Sequence, residues 1–374
     1  MKRTSSDRRK RIIAIYLPQF HPFKENDEWW GKGFTEWTNV SKARPRYRGH
    51  YQPHIPADLG FYDLRLDESR LAQAELAKQY GIDGFCYYHY WFNGHRLMER
   101  PVNEVLESGK PEFPFMLCWA NENWSRNWDG GFSKILIEQK YCKEDYENHM
   151  RYLCEKVFSD SRYIRVEGKP FFVVYRANLF PDIKECIRIW RQVAKEYNLD
   201  LYLGYMTRGN DDFIKDGFDC AIDFQPHVNA YLKEGIIAQI MDCRNSNLLF
   251  RLWRHFLPSD KNPFNMSHDY SDYIKAMCRE LPYRIKKYPC ITPSWDNSPR
   301  RKGWFFSLRN STPQLYGKWL AYVLCKFRPY SEDENFVFIN AWNEWAEGNH
   351  LEPDQKWGRG YLEETKKQIN EYNK

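Results

Sequence analysis

Two glutamates, Glu344 and Glu347, lie three residues apart in the segment NAWNEWAEG at 340–348. Two neighbouring carboxyl groups with differently tuned pKa values are what the cleavage or formation of a glycosidic bond requires, one as acid and the other as base or nucleophile. The structural alternative for such a pair is a helix cap or an ion pair with arginine. Trp342 and Trp345 flank the pair, and aromatic faces beside hydrogen-bonding groups suit sugars. We therefore predict that Glu344 and Glu347 are catalytic.

Further polar and aromatic residues follow short apolar runs along the chain. If these runs are strands of a parallel barrel, the residues at their carboxyl ends line its active site. Trp37 lies instead in a long first connection, where it could act as a lid or a stacking platform; core packing is the alternative for any single aromatic residue. The predicted substrate-binding residues are Gln19, His21, Trp37, His89, Tyr90, Trp91, Asn121, Glu122, Asn123, Trp124, Tyr175, Arg176, Gln225, Trp295, Asp296 and Asn343.

Eight apolar, β-branched runs alternate with segments of helical spacing, a pattern typical of repeated βα units. The eight predicted strands are 12–20, 83–92, 115–120, 171–175, 201–206, 221–225, 288–294 and 336–341. This pattern predicts an α/β fold, a (β/α)8 TIM barrel with long inserted loops after strands 1 and 6. A doubly wound sheet is the alternative, but no GxGxxG follows the first strand and no Walker loop is present.

Charge is concentrated at the amino terminus of the 374-residue chain. The formal net charge is +6, of which residues 1–11 contribute +5. We predict a disordered basic tail over 1–10 and a single catalytic domain over 11–374. A nearly neutral body argues against nucleic acid as a partner, because nucleic-acid-binding domains concentrate basic charge on one face.

Hydropathy and cysteine usage bear on location. No apolar run approaches the length that spans a bilayer, so we predict no stable membrane insertion and at most weak peripheral contact through the basic tail. The ten cysteines include no CxxC pair, which favours reduced thiols and a cytoplasmic location.

Histidines at predicted strand ends raise the question of a metal. His21, His89 and His227 would lie near Glu122 and Asp296, but no two of these histidines have the spacing of a helical zinc motif. His50 and His54 do have it, within a proline-rich loop where a helix is not expected. We predict hydrogen bonding to hydroxyl groups, and neither a required metal nor a cofactor. The basic run at 300–302 suits a solvated surface better than an anion site.

Five ordered motifs resemble the WbsX family: YLPQFHP at 16–22, GKGFTEWTNV at 31–40, GIDGFCYYHYWF at 81–92, WANENW at 119–124 and NAWNEWAEG at 340–348. That family is similar to glycoside hydrolase family 99, whose members are endo-acting α-mannosidases on a (β/α)8 barrel. WbsX-type proteins are commonly labelled bacterial glycosyltransferases of O-antigen or capsule synthesis. The resemblance implies a glycan substrate, possibly lipid-linked.

The resemblance also implies roles for the two glutamates. The hydrolase motif is a glutamate, an aromatic residue, a histidine, a glutamate and a glycine, and residues 344–348 match it except for Ala346. Glu344 would then remove the proton of the sugar 2-hydroxyl, giving a 1,2-anhydro intermediate with net retention. Glu347 would protonate the leaving oxygen and later activate the acceptor. The absent histidine means that endo-mannosidase specificity is not carried over.

We therefore expect a retaining glycosidase or transglycosylase that acts on a bacterial surface polysaccharide. A glycosyltransferase of O-antigen or capsule synthesis is the first alternative, although the chain has neither a recognisable nucleotide-phosphate loop nor a DxD motif. A non-catalytic glycan-binding barrel is the second. Sugar, linkage, exo or endo action and oligomeric state are not predicted.

Overall fold

The computed structural model describes residues 9–125, 135–209, 211–227, 266–278, 281, 283–301 and 305–374. Within them, eight parallel strands form a closed barrel, which confirms the predicted (β/α)8 architecture. The barrel strands are β1 (Arg11–Tyr16), β2 (Gly84–Phe92), β3 (Phe115–Trp119), β4 (Lys169–Val174), β5 (Tyr202–Thr207), β6 (Cys220–Asp223), β7 (Lys287–Ile291) and β8 (Phe336–Ile339). Each strand pairs with the next along the chain, and β8 returns to β1, where Arg11 lies opposite Phe336.

Helices occupy the connections between the barrel strands and the carboxyl-terminal segment. They are α1 (Lys24–Trp30), α2 (Glu36–Lys42), α3 (Asp67–Gln79), α4 (Arg100–Ser108), α5 (Lys143–Tyr152), α6 (Ile183–Glu196), α7 (Tyr270–Met277), α8 (Pro313–Lys326) and α9 (Gly360–Asn373). Helix α8 begins where Pro313 supplies a preset φ and the Thr312 side chain accepts the amide of Leu315 at 3.2 Å. Within the described residues, no helix is both long enough and apolar enough to cross a membrane.

The strands are buried on both faces, as parallel strands under helices must be. Strand β2 is buried at all nine positions. Its alternate residues face either the barrel interior or the helices. One face of β2 meets the interior, where the Tyr88 ring lies 5.9 Å from that of Tyr175 after β4. The other face meets α5, where Trp91 stacks on His149 at 4.6 Å.

The two long connections differ in how much of them is described. The connection between β1 and β2 carries α1, α2 and α3. Of the connection after β6, residues 228–265 lie outside the described residues, including a helix predicted near 235–256. A second helix predicted over 271–286 is α7, and it ends at Met277.

The amino terminus enters β1 directly. Residues 1–8, most of the predicted tail, lie outside the described residues. Arg9 pairs with Asp83 at 3.1 Å, and Lys10 is buried with its ammonium 3.9 Å from the centre of the Tyr372 ring in α9.

Candidate active site

Glu344 and Glu347 lie in a tight turn that follows β8. Asn343–Glu344 pairs antiparallel with Asn349–His350, and Trp345–Glu347 forms one 3₁₀ turn between them. Gly348 closes this turn with φ 55°, and its amide donates to the Trp345 carbonyl at 3.0 Å. A Cβ at Gly348 would also lie only 3.1 Å from Cβ of Asp296, so glycine is required for both conformation and space. We name residues 343–350, which carry the two glutamates predicted to be catalytic, the catalytic loop.

One guanidinium binds both glutamates. Arg300 Nη2 lies 2.8 Å from Glu344 Oε2, and its Nη1 lies 2.7 Å from Glu347 Oε1. Two oxygens bound to the two ends of one planar guanidinium fork are no more than about 8 Å apart. This limit allows the separation of about 5 Å used by retaining glycosidases and only the lower part of the range of about 6.5–9.5 Å used by inverting ones.

A third carboxylate, that of Glu36 at the start of α2, binds the same arginine. Arg300 Nε lies 2.9 Å from Glu36 Oε1, and Nη2 contacts the same oxygen. The Glu36 side chain is fully buried, Glu344 is 7% exposed and Glu347 is 21% exposed. Glu347 is therefore the member of this group that is most open to a ligand.

Burial of this acidic group shifts its pKa values. Burial is the largest cause that raises the pKa of Glu344 to about 8; repulsion by Glu347 and Glu36 adds to it, and Arg300 opposes it. Burial likewise raises the pKa of Glu36. The three carboxylates raise the pKa of Arg300, which stays charged. A buried group of three carboxyls and one cation favours retention of a proton on one carboxyl.

Aromatic side chains form a wall beside these acids. Tyr88 and Tyr90 of β2 face the barrel interior, and the Tyr90 ring lies 5.4 Å from the half-buried Trp124. Trp29 of α1 lies 6.1 Å from Trp124 on its other side. Tyr175 completes the wall through its contact with Tyr88. Of these residues, Tyr90, Trp124 and Tyr175 were predicted to bind substrate, whereas Tyr88 was not.

A cation lies at the end of β5, the strand for which no site residue is predicted. Arg208 is exposed, donates to the Tyr175 hydroxyl, and places its guanidinium 4.9 Å from the centre of the Phe224 ring. Burial raises the pKa of Tyr175, and the positive charge of Arg208 partly offsets this rise. Strand β5 therefore contributes a positive group to the same end of the barrel.

Three predicted binding residues are amides that hold strand ends together. Asn121 donates to the Arg176 carbonyl at 2.9 Å and accepts the Arg176 amide at 2.8 Å. Gln225 accepts the Tyr273 hydroxyl, and its carbonyl accepts Asn340 Nδ2 at 2.7 Å. Asn343 binds the Leu17 amide at 2.8 Å and the Leu17 carbonyl at 3.0 Å. All three side chains are buried, and their contacts position the loops on which the site is built.

The anchoring role of Asn343 gives a stability prediction. Asn343→Ala removes both bonds to Leu17 and a third to the Tyr62 hydroxyl at 3.2 Å, all of them buried. Unpaired buried groups cost about 1–3 kcal/mol each, so we expect a loss of about 2–4 kcal/mol in the free energy of unfolding. Urea denaturation measures it. The exposed Asn178→Ala is the control, and equal losses in both variants would refute the anchoring role.

Two predicted residues lie on the outer face of β2. His89 Nε2 is 3.0 Å from His149 Nε2, and Trp91 Nε1 donates to Asp145 at 2.8 Å, both partners belonging to α5. The structure does not bring His89 or Trp91 to Glu344 and Glu347. The physical reason is the two-residue period of a strand, which sends these two residues outward while Tyr88 and Tyr90 point inward.

The β1 connection supplies residues that pack against the catalytic loop. Trp37 donates its indole N–H to the Tyr62 carbonyl at 2.8 Å, and its ring lies 5.4 Å from Trp345. Gln19 and His21 are buried, and the carbonyl of Gln19 accepts the Glu36 amide at 3.0 Å. Burial lowers the pKa of His21 to about 4, which keeps this imidazole neutral.

The β7 connection supports the loop from the other side. The Asp296 amide donates to the Glu347 carbonyl at 2.6 Å, and its carboxylate binds His50 and, at 2.7 Å, Gln52. Trp295 is buried beside Asp296. Asp296 therefore positions Glu347 through the backbone.

The remaining predicted residues lie at the rim. Glu122 is 49% exposed and pairs with Arg176 at 3.3 Å. Asn123 accepts the amide of Gln139 at 2.7 Å. Glu122 and Asn123 are exposed, and Arg176 is half-buried.

The sequence analysis did not predict that Glu36 and Arg300 bind each other beside the two glutamates. They are 264 positions apart, so no local spacing links them. Glu36 does lie inside the motif GKGFTEWTNV. Arg300 was placed on a solvated charge run, and the structure corrects this: its side chain is only 11% exposed.

A group of possible metal ligands, His54, His350 and Asp354, includes the last residue of the catalytic loop.

The barrel and its site define the class of protein: a carbohydrate-active enzyme family with the fold of glycoside hydrolase family 99. Solved structures with this fold include the GH99 endo-alpha-mannosidase from Bacteroides thetaiotaomicron, with TM-score 0.57 and 13% identity over 97% of each chain. Another, described as a glycoside hydrolase-like protein, has TM-score 0.58 and 15% identity over 99% of this chain and 96% of the other. At these identities the likeness concerns the fold.

The chain belongs to the family described as Glycosyltransferase WbsX, whose model matches residues 12–365. Two curated relatives, each named uncharacterized protein WxcX, come from two strains of Xanthomonas campestris pv. campestris. Each is 36% identical over 365 residues, which is 96% of this chain and 49% of the relative. The chain thus spans about half the length of these relatives.

Proposed function

We propose that the protein acts on a glycosidic bond of a bacterial surface polysaccharide, with Glu344 and Glu347 as the catalytic pair. The observation that supports this most is that two carboxyls of one loop share one buried guanidinium at the carboxyl end of a barrel. The aromatic wall of Tyr88, Tyr90 and Trp124 suits sugar rings, whose apolar faces stack on aromatic groups. Family membership makes a glycan the expected ligand.

The proposed reaction has two steps. First, Glu344 takes the proton of the sugar 2-hydroxyl, O2 bonds to C1, and the C1–O bond to the leaving group breaks while Glu347 gives its proton to the leaving oxygen. Glu347 then takes a proton from the acceptor hydroxyl, which bonds to C1 and breaks the C1–O2 bond, while Glu344 returns its proton to O2. Two inversions at C1 give net retention. Water as acceptor gives hydrolysis, and a sugar hydroxyl gives transfer.

The raised pKa of Glu344 suits its role as the base. A general base is most effective when its pKa lies near the working pH. A sugar hydroxyl is a far weaker acid than a carboxyl group, so its proton is hard to remove. Burial raises the pKa of Glu344 from 4.5 to about 8. The Glu344 carboxylate is therefore a stronger base towards the sugar 2-hydroxyl than an ordinary glutamate. The deprotonated fraction of Glu344 grows as pH rises, whereas the first step also requires the proton that Glu347 gives to the leaving oxygen.

This shift gives a testable pH dependence. We expect the pH profile of kcat/KM to have a limb that reports Glu344, with an apparent pKa near 8 rather than near 4.5. Glu36→Gln should move that limb to lower pH, because Glu36 repels the charged form of Glu344 and competes for Arg300. A pH profile of both enzymes measures it. A wild-type limb near 4.5, or a limb unmoved by Glu36→Gln, would contradict the assignment.

Product analysis tests the reaction class. Purified protein is incubated, without a nucleotide sugar, on the surface polysaccharide of its own producing cell, and products are separated by chromatography and weighed by mass spectrometry. Cleavage or re-ligation that is lost in Glu344→Gln and Glu347→Gln supports the proposal. Transfer only after addition of a nucleotide or lipid-linked donor would support a glycosyltransferase instead. Binding without turnover in either mixture would support a glycan-binding barrel.

The physiological form of the glycan belongs to the same proposal. A lipid-linked oligosaccharide or polysaccharide would be met in the cytoplasm, with weak peripheral membrane contact through the basic residues of the predicted tail other than Lys10, which is buried. Such residues attract anionic headgroups more strongly at low ionic strength. Vesicle binding at two salt concentrations measures this contact.

A further inference from the structure

A second buried group of ligating side chains lies behind the catalytic loop, at a cavity of about 250 Å³. His54, His350 and Asp354 line this cavity, and none of the three is more than 8% exposed. Among the residues that the structure describes, these form the one group of three potential metal ligands whose ligating atoms all lie within 4.8 Å of one another. The catalytic carboxyls of Glu344 and Glu347 do not line the cavity.

The two imidazoles face each other through ring nitrogens. His54 Nδ1 lies 2.8 Å from His350 Nε2. The other nitrogen of His350, Nδ1, lies 2.8 Å from the carbonyl of Glu352. Because a carbonyl can only accept, the hydrogen of His350 sits on Nδ1 and the Nε2 lone pair points towards His54. A backbone partner that fixes the tautomer in this way is typical of metal-binding histidines.

The third ligand is fixed as firmly. Asp354 Oδ1 accepts the amides of Lys356 at 3.0 Å and Trp357 at 2.6 Å. Its other oxygen, Oδ2, accepts the Tyr51 hydroxyl at 3.3 Å and lies 4.0 Å from His350 Nε2. The carboxylate is held by the backbone and not by a neighbouring cation, which leaves its charge available to a ligand in the cavity.

The backbone also brings the two segments together without a metal. The amide of Gln355 donates to the Ile55 carbonyl, and the amide of Ala57 donates to the Pro353 carbonyl, each at 2.9 Å. Pro353 and Gln355 flank Asp354, and Ile55 directly follows His54. The backbone thus holds the two segments together, and binding an ion requires shifts of the side chains and transfer of the His54 hydrogen from Nδ1 to Nε2.

We propose that His54, His350 and Asp354 bind one Zn²⁺ ion, with the fourth position open to the cavity. Two imidazoles and one carboxylate form a ligand set that zinc favours, and four-coordinate sites with three protein ligands leave one place for water. Tetrahedral zinc needs its nitrogen ligands about 3.3 Å apart. The imidazoles would separate by a few tenths of an ångström, and Oδ2 would approach by a similar amount.

The ion would brace the catalytic loop. The ring of His350 stacks on Trp345 with 3.7 Å between centroids and an interplanar angle of 13°. Trp345 lies between Glu344 and Glu347, and its indole donates to Glu352 at 2.6 Å. Fixing His350 therefore restricts the side chain around which the two glutamates are arranged. The role is one of position, and the ion takes no part in the proposed bond changes.

Metal content tests the proposal independently of any activity. Protein stripped with a chelator is loaded with Zn²⁺, passed over a desalting column, and analysed by inductively coupled plasma mass spectrometry. We expect about one zinc per chain in the wild type and less than about a tenth in His54→Gln and in the isosteric Asp354→Asn. Zinc should also raise the melting temperature of the wild type and leave that of both variants unchanged.

A second buried histidine pair in the same barrel provides the matched control. His89 Nε2 and His149 Nε2 lie 3.0 Å apart, and they belong to no group of three ligands among the described residues. Folded His149→Gln should retain the wild-type zinc content, with folding checked by circular dichroism. A folded wild type that retains no zinc, or equal zinc in wild type and both ligand variants, as cysteine binding would give, overturns the proposal.

Discussion

Glu344→Gln and Glu347→Gln are each expected to lower kcat/KM by about 10³-fold on the natural glycan. The two changes keep the side-chain shape and remove the ability to exchange a proton, together with the negative charge that binds Arg300. The effects should differ with the leaving group. An aryl glycoside of the cleaved sugar leaves without protonation, so it should restore the first step in Glu347→Gln, but it should not help Glu344→Gln, because the 2-hydroxyl still needs a base.

A buried glutamate at the other end of the barrel is the control for these substitutions. Glu334 precedes β8, pairs with Lys286 at 2.6 Å and accepts the Tyr202 hydroxyl at 2.7 Å. Glu334→Gln should lower the free energy of unfolding and leave kcat unchanged. If it lowers kcat as far as Glu344→Gln does, the losses reflect stability. If an aryl glycoside restores the first step in both Glu344→Gln and Glu347→Gln, or in neither, the assignment of Glu344 as base and Glu347 as acid is wrong.

The sequence was informative about strands because each barrel strand is a continuous apolar run. All eight strands were predicted, and no observed strand end differs from the predicted one by more than a few residues. The same continuity hides which face of a strand points inward. In β2 every residue from Gly84 to Phe92 is buried, so hydropathy gives no contrast between His89 and Tyr90. Which face of β2 points outward is decided by its packing against α5, where His149 contacts His89. This is a tertiary contact that the local sequence does not reveal.

Amides at strand ends show a second limit of the sequence. Asn121, Gln225 and Asn343 have the polarity of sugar-binding residues and occupy the predicted strand ends. In the structure Asn121 and Asn343 bind backbone groups of a neighbouring connection, such as Leu17 for Asn343, and the Gln225 side chain accepts the Tyr273 hydroxyl. An amide carries both a donor and an acceptor, so it suits a backbone as well as a hydroxyl. Only the geometry of the adjacent loop separates the two uses.

The acidic cluster shows the third limit. Glu344 and Glu347 were found because they are close in sequence, whereas Glu36 and Arg300 come from two other connections. Their ion pair is buried, and a buried pair has no signature in local composition. Arg300 lies within a basic run that resembles a solvated surface, and its neighbours gave no sign that three carboxylates surround it.

Arg300 is expected to have the second large effect, on stability as well as activity. Arg300→Met leaves Glu36, Glu344 and Glu347 in a buried group without their shared cation. Removing one partner of a buried ion pair costs about 3–5 kcal/mol in the free energy of unfolding. Turnover should fall at the same time, because the fork that holds both catalytic carboxyls is lost. Arg300→Lys keeps the charge but cannot bridge two carboxyls in a plane, so it should lose more activity than stability.

The pH dependence of that stability loss has a definite sign. Burial already raises the pKa of Glu36 and of Glu344, and without Arg300 both pKa values rise further. A carboxyl with a raised folded-state pKa stabilises the fold below its unfolded pKa, and this contribution is lost as pH rises through the folded value. The difference between wild type and Arg300→Met should therefore be small near pH 4 and should grow as pH rises towards 8. Urea denaturation at several pH values measures this growth.

A double-mutant cycle identifies which carboxylate suffers most from the lost cation. Glu36 is fully buried and accepts both Nε and Nη2 of Arg300. Glu36→Gln should therefore recover part of the stability of Arg300→Met, although alone it is destabilising, and this sign reversal is the mark of a buried ion pair. Arg176→Met, at the exposed pair with Glu122, should change stability by no more than about 1 kcal/mol at every pH. An Arg300→Met effect equally small and equally flat with pH would show that the three carboxyls do not depend on this cation, and the catalytic pair would then need another group to hold it.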